Sequence, residues 1–460
     1  MEIKEEIFRE YDIRGIAGKD LNPDIMNSIG KAFGTYLIER GIKDVLIGRD
    51  SRASSESYQK AVIDGLRSVG CNVVDIGLIL SSFLYFARQH YNIDGGVMIT
   101  ASHNPAEWNG LKLCHGLNAI IGEEIQKVKN ILISEKFKTG QGTLKSLDIF
   151  PIYFKAVQQR IKLNKSLKVV VDCGSATPSA FAPEFLKQLG CEVVPIYCRI
   201  DTSFPRGAMD PAKITHYKDL IKAVKDNKAD LGVIFDGDGD RVGFVDEKGQ
   251  IWLGDMILTL LIRSIVPKHP GRKVIVELKD SEIVAEETKR LGGIPIFWKT
   301  GHALLDHKVY EEKAILCGEM SCHYWVVDNW YVFDDAFYAL AKVLEIISNS
   351  GKKLSELMEQ IPKYPSTQEQ RIPCPKEKKF ALVKELVEHF RPKCSKVIDI
   401  DGIRGYIEDG WFLIRASNTQ PMITIRAEAK TREGLEKIKK TIKEKLDQYS
   451  YLNFDWSKDF

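Results

Sequence analysis

Short apolar runs set between polar turns recur through the first three quarters of the chain, each followed by a helix-spaced stretch and a second apolar run. Asp44 to Gly77 gives Val45-Leu46-Ile47, a polar turn at Gly48 to Ser51, a helix, Val69-Gly70, and then Val73 to Ile76. Leu167 to Tyr197 repeats the order with Val169-Val170-Val171, a turn at Asp172 to Ser175, a helix, Leu189-Gly190 and Val193-Val194. Arg272 to Gly301 gives it again with Val274-Ile275-Val276, a turn through Asp280-Ser281, a helix, Leu291-Gly292 and Ile294 to Phe297. Unbroken apolar runs suit strands buried on both faces, and the glycines fall where helices end in a left-handed residue. Each stretch predicts a βαβ unit, and the repetition predicts three related α/β domains in tandem.

Each unit is followed by one more apolar strand that enters a polar loop. Val97-Met98-Ile99 enters Thr100 to Pro105, Leu231 to Phe235 enters Asp236 to Asp240, and Ala314-Ile315-Leu316 enters Gly318 to His323. Ligands of open α/β sheets sit outside the carboxyl ends of strands, so equivalent loops from like domains are expected to meet in one cleft. Beyond about Pro365 the pattern changes. Pro373, Pro375 and Lys376 to Lys379 read as a hinge, followed by a helix at Phe380 to Phe390 and a strand at Lys396 to Ile400. A turn at Asp401-Gly402 precedes strands around Gly405 to Glu408, Trp411 to Ile414 and Met422 to Glu428, then an amphipathic helix from Glu433 to Tyr449. This predicts a C-terminal α+β domain with an antiparallel sheet.

At 460 residues the chain exceeds what one core supports. Lys and Arg number 66 against 63 Asp and Glu, a formal charge of +3, which gives no global field toward nucleic acid or membrane. Anionic ligands would have to be held by local clusters. The nine cysteines form no Cys-x-x-Cys pair, which argues against zinc and suits a reducing compartment. Met1 to Glu10 is too charged for a signal peptide, and the greasiest segment, Met256 to Val266, is short and carries Arg263. A cytoplasmic protein is expected.

Thr100-Ala-Ser-His-Asn-Pro105 puts Ser102 at the tip of a loop, because Pro105 cannot continue a strand ladder. A loop hydroxyl is a weak nucleophile without activation, and a polar turn bonded to its own backbone fits the same six residues. Asp236, Asp238 and Asp240, separated by glycines, crowd three carboxylates together, an arrangement that calls for a hard cation such as Mg²⁺ or Ca²⁺. An EF-hand would explain Glu247 as its last ligand, but it needs glycine where Arg241 stands and helices where the pattern gives strands. Arg415-Ala-Ser-Asn-Thr offers a guanidinium, two hydroxyls and an amide, a donor set that suits phosphate and also an ordinary polar hairpin. Tyr11-Asp-Ile-Arg-Gly15 is equally ambiguous alone. His115, His216 and His307 read as structural.

Together Tyr11 to Gly15, Thr100 to Pro105, Asp236 to Arg241, Gly318 to Ser321 and Arg415 to Pro421 resemble, in order and over nearly the whole chain, the loops of the α-D-phosphohexomutases. Gly-Glu-Met-Ser in the third loop is similar to the phosphomannomutase/phosphoglucomutase branch. Cys322 departs from the glycine common there before His323 and adds bulk beside that loop. The resemblance implies four domains around a central cleft, here 1–152, 153–255, 256–367 and 368–460. It implies that Ser102 carries a phosphoryl group, and that Asp236, Asp238 and Asp240 hold Mg²⁺ with a phosphoserine oxygen. Glu319 and Ser321 would read sugar hydroxyls, with His323 beside them. Arg415, Ser417, Asn418 and Thr419 would grip the phosphate that is not reacting. Tyr11, Arg14, Lys112, Arg241, Lys279 and His302 would line the cleft. Arg14, Lys112 and His302 are the acid/base and charge-stabilising candidates, and His103 ranks below them because neighbouring side chains in an extended loop diverge.

The implied reaction interconverts hexose 1-phosphate and hexose 6-phosphate, of mannose, glucose or both, through a hexose 1,6-bisphosphate that also serves as activator. The protein would be a monomer or homodimer acting on phosphosugars, without nucleic-acid or membrane partners. The alternatives are a phosphoglucosamine mutase, a metal-dependent sugar phosphatase that hydrolyses the phosphoserine, and a sugar-phosphate binding protein. A mere binder would not require Ser102 with three intact aspartates.

Overall fold

In the computed structural model, which describes residues 4–116, 118–417 and 420–456, the chain builds four sheets. The first runs Ile13–Ile16, Trp108–His115, Gly95–Ile99, Asp44–Arg49, Asn72–Leu78, Leu144–Ser146, with Asn118–Ala119 added beside Trp108–His115. The second runs Ile251–Trp252, Val242–Asp246, Leu231–Phe235, Lys168–Asp172, Glu192–Ile196. The third runs Ile294–Trp298, Lys273–Glu277, Leu316–Gly318, Tyr324–Val326. In all three the first strand of the repeated unit lies centrally between two parallel neighbours.

The strand that ends each unit then reverses into an antiparallel partner: Gly95–Ile99 into Trp108–His115, Leu231–Phe235 into Val242–Asp246, Leu316–Gly318 into Tyr324–Val326. The loops at 100–107, 236–241 and 319–323 therefore occupy one topological position three times over. Each lies at the carboxyl end of a parallel strand, where its sheet changes direction.

The fourth sheet is antiparallel, in the order Gln370–Pro373, Met422–Ala429, Gly410–Ala416, Ile403–Ile407, Lys396–Ile398, with the helices Lys379–Phe390 and Arg432–Leu446 packed on it. Three expectations are corrected here. Pro373 ends an edge strand paired with Met422 rather than lying in a hinge, because an edge position tolerates a residue with no N–H. The Lys396 strand stops at Ile398, short of Ile400. In the third unit, the strand expected from Ala314 begins at Leu316. The Ala314 N–H is taken by the carbonyl of Val309 as the preceding helix closes.

The cores divide unevenly. One continuous apolar cluster joins the helix Ser81–Tyr91 of the first domain to the interiors of the second and third sheets, through Phe83, Phe86, Tyr153, Phe185 and Phe337. The fourth domain has its own core and meets the third through Leu278, Trp411 and Leu413. Arg404 reinforces that joint, stacking on Trp411 at 3.5 Å and donating to the carbonyls of Leu278 and Asp280. Among the described residues no helix is long and apolar enough to cross a membrane.

Candidate active site

Ser102 adopts a left-handed backbone (φ 48°), a conformation rare for a side-chain-bearing residue and common where a loop is held for function. Its N–H donates to Thr100 Oγ1 at 2.9 Å, and its Oγ donates to Asp236 Oδ2 at 2.8 Å. The loop is not exposed at its tip: Ser102 is only 3% accessible, because the Asp236–Asp240 loop closes over it. Gly237 makes that approach possible, since a Cβ there would lie 2.5 Å from the Ser102 carbonyl. The left-handed turn also brings His103 Nδ1 to 3.1 Å from Ser102 Oγ, so the two side chains converge where an extended loop would separate them. Arg241, burial and Arg14 hold the His103 imidazole well below its usual range, so it faces the serine as a neutral ring.

Asp236, Asp238 and Asp240 are buried, with ligand oxygens within 4.8 Å of one another. Burial, with Asp240 and Asp238 alongside, pushes the Asp236 carboxyl well above the usual carboxylate range. Lys112 donates to Asp238 Oδ2 at 3.1 Å and Asp240 Oδ2 at 2.7 Å; burial opposes its charge, but those carboxylates hold its pKa well above the ordinary value. Ser81 and Thr100 also donate to Asp238 Oδ2. The opposite oxygens, Asp238 Oδ1 and Asp240 Oδ1, are buried and have no hydrogen-bond partner among the described residues. One ammonium against three carboxylates, with two orphaned oxygens, is a donor set that fits a hard divalent cation. Glu247 lies outside this group and instead accepts from Ser355.

A cavity of ≈ 370 Å³ joins the loops. Tyr11, His103, Asn104 and Pro105 line it from the first domain, Asp210 and Arg241 from the second, Lys279, His302, Glu319, Ser321 and His323 from the third, and Arg415, Ser417 and Gln420 from the fourth. Arg14 pairs with Asp12 at 2.8 Å and donates to Asn104 Oδ1 at 2.6 Å, which ties the Tyr11–Gly15 segment to the Ser102 loop. His302 opens the helix His302–Glu312; burial, then Lys112, brings its pKa down to about 4, and its Nε2 has no partner.

Arg241 donates from Nε to His323 Nε2 at 2.8 Å and meets Asp210 at 3.3 Å. With Nε2 accepting, the His323 proton sits on Nδ1, facing Asp334 Oδ2 at 2.7 Å, so both ring nitrogens are engaged. Lys279 bridges Glu369 at 3.1 Å and Glu277 at 3.8 Å. Glu319 accepts from the Gly301 N–H and from Ser321 Oγ, each at 3.3 Å. Cys322 takes the backbone conformation that favours glycine (φ 73°). Its thiol is fully buried, pushed up to about 12 by that burial, and directed at the Pro211 carbonyl at 3.7 Å, away from the cavity lining. Arg415 pairs with Asp401 at 2.8 Å, and Ser417 Oγ accepts the Gln420 N–H at 3.1 Å. Asn418 and Thr419 lie outside the described residues. His115, His216 and His307 bond Tyr36, the Asp210 N–H and the Ala119 carbonyl, none of them in the cavity.

The sequence pattern passed over Arg52. This 3%-exposed side chain pairs with Asp50 at 3.1 Å and donates to the carbonyls of Pro105 (2.6 Å), Trp108 (3.0 Å), Ser102 (2.7 Å) and Asn104 (2.7 Å). It holds both ends of the Ser102 loop at once. Asp210 and Asp334, which orient Arg241 and His323, were also missed. Their partners are distant in sequence, and an isolated aspartate in a loop carries no signal of its own.

Three tandem α/β domains and a C-terminal α+β domain, with a buried serine against three clustered carboxylates beside a cleft to which all four contribute, define a protein of the phosphohexomutase class. The models of phosphoglucomutase/phosphomannomutase domains I, II, III and IV match residues 5–139, 151–249, 253–364 and 369–445. The chain is 38% identical over 440 residues to the phosphomannomutase/phosphoglucomutase of Pseudomonas aeruginosa, covering 96% of this chain and 95% of that one. It is 36% identical to the phosphoglucomutase of Neisseria gonorrhoeae, covering 98% of each. A phosphoglucomutase/phosphomannomutase family protein of Burkholderia thailandensis superposes with a TM-score of 0.92 at 35% identity, over 98% of this chain and 100% of that one. The chain belongs to the phosphoglucomutase/phosphomannomutase family.

Proposed function

We propose that this protein interconverts hexose 1-phosphate and hexose 6-phosphate, of glucose, mannose or both, with Ser102 as the phosphoryl carrier and a hexose 1,6-bisphosphate as intermediate. The observation that carries this reading is Ser102 Oγ, buried and 2.8 Å from Asp236, directly before His103 and Asn104, which line a cleft that Arg415 and Ser417 also line. Asp236, Asp238 and Asp240 would hold Mg²⁺ together with an oxygen of the phosphoserine. The ion would neutralise charge on the transferring phosphoryl group.

In the forward half-reaction the bond from phosphorus to Ser102 Oγ breaks and one forms to the free sugar hydroxyl, which gives up its proton. Neutral His302 has a free ring nitrogen to take that proton. Lys112, held cationic by Asp238 and Asp240, and Arg14 serve charge stabilisation rather than proton removal. The sugar proton would end on the departing Ser102 Oγ, with His103, 3.1 Å from it, as the last relay, and the return half-reaction would reverse that path. Glu319 and Ser321 would read sugar hydroxyls, and Tyr11, Arg241, Lys279 and His323 would shape their surroundings. Arg415, Ser417, Asn418 and Thr419 would grip the second phosphate. The bisphosphate then turns end for end and returns its other phosphate to Ser102.

The burial of Ser102 favours a mutase over a phosphatase, because a phosphoserine in that position is shielded from water. The test is conversion of glucose 1-phosphate and mannose 1-phosphate with a trace of bisphosphate, with free phosphate measured in parallel. Isomer without phosphate release supports the reading; phosphate release without isomer contradicts it.

A further inference from the structure

Lys379 opens the helix Lys379–Phe390 and is 3% exposed. Its ammonium donates to the Ser417 carbonyl at 2.5 Å and to the Gln420 carbonyl at 3.0 Å, bridging two residues that line the cleft, while Lys379 itself borders the neighbouring cavity lined by Glu6, Arg9 and Glu10. Among the described residues no carboxylate pairs with it, and its charged neighbours are Lys376 and Arg415, both of like sign. Arg415 is itself balanced by Asp401. Buried charges are normally paired, so an ammonium that has only carbonyl acceptors and sits beside two more cations lacks its counter-ion. Burial, then Lys376 and Arg415, lowers its pKa.

We propose that Lys379 is a positioning residue for the non-reacting phosphate: from behind the cleft it fixes the backbone of Ser417 and Gln420 beside Arg415, and its positive charge adds to that of Arg415 toward the phosphate. This rests on the proposed phosphosugar reading of the same cleft. It extends that reading to a residue outside the Arg415-to-Pro421 segment, on a different element of the fourth domain. A phosphate that does not react is held alike in ground and transition states, so losing its support is expected to raise KM and leave kcat nearly unchanged. Because the charge is unbalanced in the free protein, removing it should also cost the unliganded fold little.

Lys379→Met, Lys379→Gln and Lys379→Arg, made in the full chain, test this. Lys379→Met is expected to raise KM for glucose 6-phosphate by about tenfold, the low end for losing one charge-assisted interaction. Its kcat should stay within about threefold of wild type. Lys379→Gln keeps a donor for the carbonyls without the charge and should fall between wild type and Lys379→Met, while Lys379→Arg should restore KM to near wild type. Inorganic phosphate, titrated calorimetrically without turnover, should lose affinity in Lys379→Met in proportion. That loss in a protein with no mutase activity would leave this proposal standing and remove the activity reading. A KM and a phosphate affinity within about twofold of wild type in Lys379→Met would overturn it. So would a fall in kcat matching the rise in KM that Lys379→Arg does not rescue. If Lys379→Met does not fold, the role is structural unless Lys379→Gln folds and shows the KM effect alone.

Discussion

The Ser102 loop and the pair Ser417 and Gln420 are held in the same manner, by a buried cation donating to backbone carbonyls, but the two charges are balanced differently. Arg52 reaches four carbonyls of the Ser102 loop and is neutralised by Asp50. Lys379 reaches two carbonyls and has no carboxylate among the described residues. The first arrangement is complete without ligand, which suits an oxygen that must stay fixed against Asp236. The second is left short of one negative charge, which suits a surface that takes up and releases a phosphate. The cores repeat the contrast. The first-domain helix Ser81–Tyr91, whose first residue donates to Asp238, shares one apolar cluster with the second and third domains, while the fourth domain keeps a core to itself. The Ser102 end, proposed as covalent, is built into the body of the protein, and the end proposed to grip phosphate sits on a separately packed unit.

The largest effect should come from the covalent end. Ser102→Ala is expected to lower turnover by about a thousandfold or more, since no other group replaces the carrier oxygen. Calorimetric affinity for glucose 6-phosphate should stay within about threefold, because the far grip is intact. A mutant with full turnover would break the comparison at its root. Asp238→Asn should lower kcat by roughly a hundredfold to a thousandfold, as expected when one preorganised charge contact of the transition state is removed. A chelator should abolish activity and Mg²⁺ restore it; full activity in chelator would contradict the assignment of the three carboxylates.

Arg52→Met sharpens the contrast in stability. It leaves Asp50 buried without its partner, so denaturant unfolding should lose about 3–5 kcal/mol, the usual cost of breaking a buried pair. Lys379→Met, which strands no carboxylate, should lose far less; equal losses would mean the two arrangements do not differ as described.

The smallest effect concerns acid. Burial and Lys112 hold the His302 imidazole at about 4 against 6.5 when free. The unfolded chain therefore takes up this proton first. The contribution to stability is complete above about pH 6.5 and is lost as pH falls toward 4. Urea midpoints measured across that interval should fall less steeply with acid in His302→Gln than in wild type. Parallel slopes would show that His302 titrates normally.

The repeated units were legible because strands buried on both faces must be apolar throughout, and Val45 to Ile47, Val169 to Val171 and Val274 to Val276 carry that signal without interruption. Strand ends were less legible. Ala314 is as apolar as its neighbours, yet its N–H belongs to a helix cap. The loops were legible as chemistry, but their setting was not. Nothing in Thr100 to Pro105 shows that Gly237, from another domain, will cover Ser102. Arg52 and Lys379 were invisible for a further reason. Both act on backbone carbonyls, which every residue has, so no pattern of side chains marks their targets; Arg52 falls just past the turn read at Gly48 to Ser51, and Lys379 in the segment read as a hinge.

The central claim is that Ser102 hands its phosphoryl group to the sugar. Phosphorylated protein, mapped by peptide mass spectrometry and mixed in a single turnover with an excess of glucose 6-phosphate, tests it directly. The account predicts that the phosphate leaves the Ser102 peptide as an equal amount of glucose 1,6-bisphosphate appears, and that it returns to Ser102 as glucose 1-phosphate is formed. Isomerisation with the Ser102 peptide unphosphorylated throughout, or with its phosphate never exchanged, would contradict it.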